Sequence, residues 1–132
     1  MVSYKEKRTF PYRLEDFPYH PATMLAPMEG VTNSVIREKI GKLGGIGILC
    51  TEFLRVTNNT LSRKVLRKNI IKYADIPLSV QIMGKDDTLM GDSAEQVALA
   101  GADIVDINLG CPTSRAARGG VGASMLKDPD LL

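Results

Sequence analysis

One stretch constrains this chain more than any other: Ile104-Val105-Asp106-Ile107-Asn108-Leu109-Gly110-Cys111-Pro112. A β-branched, alternating run stops abruptly at Gly-Cys-Pro, the pattern of a buried strand that delivers a cysteine to its C-terminal mouth. The side-chain period of two puts Ile104, Asp106 and Asn108 on one face and Val105 and Ile107 on the other. A strand covered on both sides is normally apolar on both. Here one face turns polar toward its end, which costs stability unless those groups find partners.

The rest of the chain has a repeating rhythm. Residues 1–22 are polar and proline-punctuated (Pro11, Pro18, Pro21) and predict an extended lead-in. Residues 23–132 then alternate between strand-like and helix-like segments. Strands are predicted at 23–26, 46–51, 78–83 and 103–108. Helices are predicted at 33–43, stopped by Gly44-Gly45, at 61–73, and at 93–100, ending at Gly101. Such alternation implies βαβ units and a parallel sheet. In Leu78–Met83, parity sets Ser79, Gln81 and Met83 opposite Leu78, Val80 and Ile82, so a polar face recurs. Lys127-Asp128-Pro129-Asp130-Leu131-Leu132 has the form of a helix start, with a capping aspartate and a first-turn proline. One turn cannot hold itself, so the expectation is a piece of a longer protein, cut at the start of its fourth helix.

Composition narrows the function classes. A chain of 132 residues with 44% hydrophobic and 24% charged residues suits one globular domain, and a net charge of +2 points to no particular partner. Two separated cysteines, Cys50 and Cys111, and one histidine give a zinc site no support and suggest no disulfide framework, so no metal and a reducing cytoplasm are expected. The amino terminus lacks an apolar signal core, and no apolar run approaches the roughly 20 residues that span a bilayer, so no membrane partner is expected.

Three segments together carry a family resemblance. Asp106–Pro112 resembles the central signature of tRNA-dihydrouridine synthases. Leu25-Ala26-Pro27-Met28-Glu29-Gly30-Val31-Thr32-Asn33 is similar to the opening strand and turn of that family, and Val80-Gln81-Ile82-Met83-Gly84 to its third strand. Gly119-Gly120-Val121-Gly122-Ala123 also fits. The resemblance implies an α/β fold of TIM-barrel type, here about the first four βα units of an eight-stranded parallel barrel, since a whole barrel needs roughly 250 residues. It implies FMN as cofactor, NADPH or NADH as reductant, and tRNA as partner. It also implies reduction of uridine to 5,6-dihydrouridine, with hydride passing to C6 of the ring.

Within that resemblance, Cys111 donates the proton to C5. The chemistry needs a neutral thiol, which an ordinary cysteine supplies near pH 7. Pro27, Met28, Glu29 and Gln81 contact the flavin, methionine suiting a flat polarizable ring. Asn108 and Arg115 contact substrate. An amide offers both a donor and an acceptor to the uracil imide edge, and Arg115 stands where the family usually has lysine. Asn33 stands where an aspartate is common, keeping a helix cap but losing a charge. The plainer readings stay open: Cys111 as a small buried hydrophobe, Asn108 satisfying loop backbone near Gly110, Gln81 on an ordinary half-exposed strand. Cys50 reads as core and Asp106 as structural. The glycine-rich segment 119–122 reads as a mobile loop that lets RNA approach. Lys64, Lys68 and Lys72, four apart on one helix face with Arg63 and Arg67 beside them, read either as an RNA contact or as a solvated face.

Two alternatives to the synthase remain. One is another FMN barrel oxidoreductase, such as a dihydroorotate dehydrogenase, and the other is a non-catalytic RNA-binding or assembly fragment. The flavin-phosphate site of the resembled family lies on later strands. This chain alone is therefore expected to be inactive, and a half barrel with open strand edges is expected to self-associate.

Overall fold

The computed structural model describes residues 17–128 and 130. Its centre is β3, Leu78–Met83, buried along its whole length and bounded as its alternation predicts. Parallel neighbours flank it: β1 (Leu49–Cys50) and β2 (Leu54–Arg55) pair with it, as does β4 (Ile104–Ile107). Ser79 and Ile82 each pair with β4 as well as with β1 or β2, so β1 and β2 share one edge of β3 and β4 holds the other. Met24 makes a parallel bridge to Ile48, extending the order on the β1 side. All four predicted strand regions are thus parallel and in sequence order, although residues 23–26 contribute a single bridge rather than a strand.

The second predicted strand continues further than its sequence suggests. From Cys50 to Leu54 the chain advances one residue more than its partner does from Ser79 to Ile82. This is a β-bulge. Thr51, fully buried, fills the gap: its N–H donates to the Ser79 carbonyl at 2.9 Å, and its hydroxyl accepts the Gln81 N–H at 3.1 Å.

The helices lie where caps dictate. Asn33 Oδ1 accepts from the N–H groups of Val35 and Ile36 and starts α1, Ser34–Leu43. The second helix, α2, is only Arg63–Asn69, shorter than the predicted 61–73. Arg37, buried in α1, explains the early stop. Its guanidinium donates to the carbonyls of Asn69 and Ile71, and a helix running to residue 73 would have bonded the Asn69 carbonyl internally. Lys72 therefore shares no helix face with Lys64 and Lys68; it pairs with Asp103 at 2.7 Å. The third helix, α3, is Asp87–Leu99 and begins six residues before the predicted 93, because Asp86 caps it through the Leu89 N–H at 2.8 Å.

The segment read as a mobile loop is instead the end of a helix. Thr113 caps α4, Ser114–Gly119, and Gly120 closes it in the left-handed conformation (φ 69°). A 3₁₀ turn follows over Gly122–Lys127, with Asp128 after it. Of the helix predicted to start at 127–132, residues 129, 131 and 132 lie outside the described residues, while Lys127 ends the 3₁₀ turn and Asp128 is extended; most of the lead-in also lies outside the described residues. Leu78, Val80 and Ile82 pack with Leu49, Leu54, Leu66 and Val97 into the core beneath the helices. The opposite parity of β3 faces the site. Among the described residues no helix is long and apolar enough to cross a membrane, and no group of three or more His, Cys, Asp or Glu could hold a metal.

Candidate active site

The register Gln81↔Asp106 sets two polar side chains from adjacent strands on one face. Gln81 Nε2 donates to Asp106 Oδ2 at 2.7 Å, and Asn108 Nδ2 donates to Gln81 Oε1 at 2.8 Å. Asn108 Oδ1 then accepts the N–H groups of Gly110 at 3.2 Å and Cys111 at 2.9 Å. The polar face that the alternation exposed as a liability is a continuous ladder, Asp106–Gln81–Asn108–Cys111, in which each group finds a partner. Gln81 is 5% exposed, not half-exposed. Asn108 spends its oxygen on loop backbone and keeps one Nδ2 proton to offer elsewhere.

Cys111 is free and partly exposed. Its sulfur lies 3.4 Å from Thr113 Oγ1. Its carbonyl accepts the Ala123 N–H at 3.1 Å, and Gly122 (φ 64°) packs directly on its backbone. The thiol is therefore held by the strand end before it and by the 3₁₀ turn after it. Cys50 is also free but lies in a different setting. It is fully buried in β1, and burial pushes its thiol up to about 11.

A cavity of about 490 Å³ opens at the C-terminal ends of β3 and β4, lined among others by Pro27, Glu29, Phe53, Gln81, Asn108 and Cys111. It gathers five of the seven residues that sequence singles out. Met28 is 42% exposed and outside that lining; its backbone instead closes the turn. The Met28 N–H donates to Thr32 Oγ1 at 3.0 Å, and the Thr32 hydroxyl donates back to the Met28 carbonyl at 3.2 Å. Arg115 is exposed on α4 and lines a second cavity, with Arg55 and Lys85. Sequence reasoning passed over Thr32, Thr51, Phe53 and Thr113. Thr113 alone carried a local signal, a threonine three residues before Ala116 in a helical stretch.

The family model described as dihydrouridine synthase (Dus) matches residues 24–132. The chain belongs to the dihydrouridine synthase family. It is 34% identical over 115 residues to a Pseudomonas putida protein named tRNA-dihydrouridine(16) synthase, covering 82% of this chain and 36% of that protein. Identity to the protein of the same name from Neisseria meningitidis serogroup A is 34% over 116 residues, covering 83% of this chain and 35% of that one. A tRNA-dihydrouridine synthase B from Pseudomonas syringae pv. tomato is 34% identical over 121 residues, covering 91% of this chain and 36% of the relative. The chain thus spans about a third of the length of these relatives. Of the two flavin enzymes that the sequence leaves open, the match is to the dihydrouridine synthases.

Proposed function

We propose that this chain forms the amino-terminal part of the catalytic barrel of a tRNA-dihydrouridine synthase, which reduces uridine in tRNA to 5,6-dihydrouridine with FMN and a nicotinamide reductant, NADPH or NADH. One observation carries this reading: Cys111, partly exposed and held by its backbone N–H donating to Asn108 Oδ1, stands at the rim of the cavity that Gln81 and Pro27 line.

The cavity residues fit a flat heteroaromatic ring. Gln81 has one N–H and one lone pair left beyond the ladder, and Pro27 and Phe53 give apolar walls. Pro27, Glu29, Gln81 and the turn around Met28 would hold the flavin, which supplies hydride when bound. The chain's own part is acid catalysis and positioning. Cys111 delivers a proton to C5 of the uracil, and the free Asn108 Nδ2 proton bonds a ring carbonyl. Thr113 orients the thiol. The uridine must leave its stack to reach this depth. The chain alone forms no dihydrouridine in this reading, because the flavin-phosphate site belongs to later strands.

The test places residues 24–132 in a chimera, replacing the matching segment of the Pseudomonas putida relative. The chimera should bind flavin and form dihydrouridine in tRNA. Cys111→Ala should slow uridine reduction by about 10²–10⁴, the usual worth of a general acid. Flavin reduction by the nicotinamide should stay nearly unchanged. A flavin-loaded chimera that reduces uridine equally fast without the thiol would sink this assignment.

A further inference from the structure

The cavity beside the site has a charge pattern that the reduction of a base does not use. It holds about 420 Å³, and its lining includes Arg55 from β2, Lys85 from the β3–α3 connection and Arg115 from α4. Three elements far apart in sequence thus send three cations to one hollow. The single carboxylate in the lining is Asp86, whose Oδ1 is engaged by the Leu89 N–H as the cap of α3. Among the described residues neither Lys85 nor Arg115 makes an ion pair, and the Arg55–Glu29 contact is long, 3.5 Å, between groups that are 34% and 59% exposed. Such a contact contributes little. The hollow is therefore cationic, with Thr57 and Asn58 adding neutral hydrogen-bonding groups.

Its position names the anion. Arg55 lies over the Phe53 ring at 4.8 Å, and Phe53 lines the Cys111 cavity. Glu29, the loose partner of Arg55, lines that cavity too, as does Thr113, two residues before Arg115. The two hollows are neighbours, linked through the Arg55–Phe53 and Arg55–Glu29 contacts. A nucleotide whose base enters the first carries its phosphates to the second.

We infer that Arg55, Lys85 and Arg115 form a subsite for successive backbone phosphates of the RNA flanking the reduced uridine, each cation facing its own phosphate. The inference rests on the proposed function and adds the residues that grip the strand. Each cation that neutralises a phosphate releases a counterion, so binding carries a salt dependence of about 0.7–0.9 per contact.

The experiment measures binding of fluorescent tRNA to the 132-residue chain by anisotropy across a salt series. Lys85→Gln and Arg115→Gln should each weaken binding and lower the slope of log K against log salt by about 0.7–0.9. Lys85→Arg should restore the slope, since the charge returns, and far-ultraviolet circular dichroism checks the fold of each variant. Lys64→Gln on α2 should leave the slope alone. Equal slopes for wild type and both cavity variants would overturn the subsite while leaving the RNA reading intact. Absence of any salt-dependent RNA binding by the wild type would overturn both. Displacement of the RNA by NADPH or inorganic phosphate at sub-millimolar concentration would overturn the RNA assignment in favour of a small phosphate ligand.

Discussion

Gln81 Oε1 accepts the Asn108 Nδ2 proton at 2.8 Å, and this one bond orients every amide in the site. Asp106 offers an acceptor to Gln81, so Gln81 must turn its nitrogen to Asp106 and its oxygen to Asn108. Asn108 must then present nitrogen to Gln81, which aims its oxygen at the N–H of Cys111. A carboxylate on β4 thereby decides how the cysteine loop is held.

That dependence makes Asn108→Asp a severe change despite its near-identical shape. The carboxylate oxygen that replaces Nδ2 would face Gln81 Oε1, and flipping Gln81 would only move the clash to Asp106. An unmet buried acceptor costs about 1–3 kcal/mol. Urea unfolding should show a loss in that range for Asn108→Asp. A variant as stable as wild type would mean that the ladder is not shared in this order.

The two thiols should separate chemically. Iodoacetamide at pH 8 should label Cys111, which is partly exposed, and spare Cys50, which is buried with its thiol pushed up to about 11. In urea both should react, and peptide mass spectrometry reads the sites. The sign of the linked pH effect follows. The unfolded Cys50 ionises first, so its contribution is intact below the ordinary thiol range and is lost as pH rises toward about 11. Labelling of Cys50 in the folded chain at pH 8 would contradict its place in the core.

Much of this was legible in the residues, and the failures share a cause. The bounds of β3 follow from its alternation between Pro77 and Gly84, and parity alone set Ser79 with Gln81 on one face of its strand and Asp106 with Asn108 on one face of theirs. What parity cannot supply is register, and register makes Gln81 the partner of Asp106. The shortened α2 was invisible because its terminating group, Arg37, comes from 32 residues earlier than Asn69. The Thr51 bulge likewise exists only against β3. The early start of α3 was missed because Asp86–Asp92 has only Leu89 and Met90 as apolar residues and is interrupted by Gly91, so its cap outweighs a weak periodicity.

Gly122 is the backbone contact that sets Cys111 from the far side. A Cβ there would lie 2.7 Å from the Cys111 carbonyl oxygen and 3.0 Å from its Cβ, at φ 64°. The conformation alone costs an L-residue about 1–2 kcal/mol. Gly122→Ala should lose at least that in urea unfolding and should alter the rate of Cys111 alkylation. Gly119→Ala is the control: its nearest neighbour, Val121 Cγ2, is 3.8 Å away, and in a helix alanine is the better residue. If the two variants behave alike, the packing of Gly122 on Cys111 is unimportant.

Asp103 ties the start of β4 to the start of β3 and should give the acid limb of stability. Burial pushes its carboxyl up, but the Leu78 N–H at 2.8 Å and the Lys72 ammonium at 2.7 Å outweigh that and hold it below the usual carboxylate range. A lowered folded pKa stabilises above the unfolded value, about 4, and that stability is lost as pH falls through the folded value. Asp103→Asn should therefore flatten the stability profile below about pH 4. Parallel profiles for variant and wild type would remove Asp103 from the acid transition.

The last prediction concerns the edge of the sheet. Among the described residues β4 pairs with β3 alone, so one side of Ile104–Ile107 presents unpaired backbone groups, and Ile107 is 53% exposed. An uncovered strand edge with an apolar side chain is a template for another strand. In the chain by itself the available strand is a second copy, and an isologous pairing through β4 would bury both edges at once. Sedimentation at micromolar concentration should show a dimer or larger species. Ile107→Lys, which adds a charge to the edge without touching the core, should shift it toward monomer. A wild-type chain that stays monomeric at high concentration would show that the edge is covered by other means.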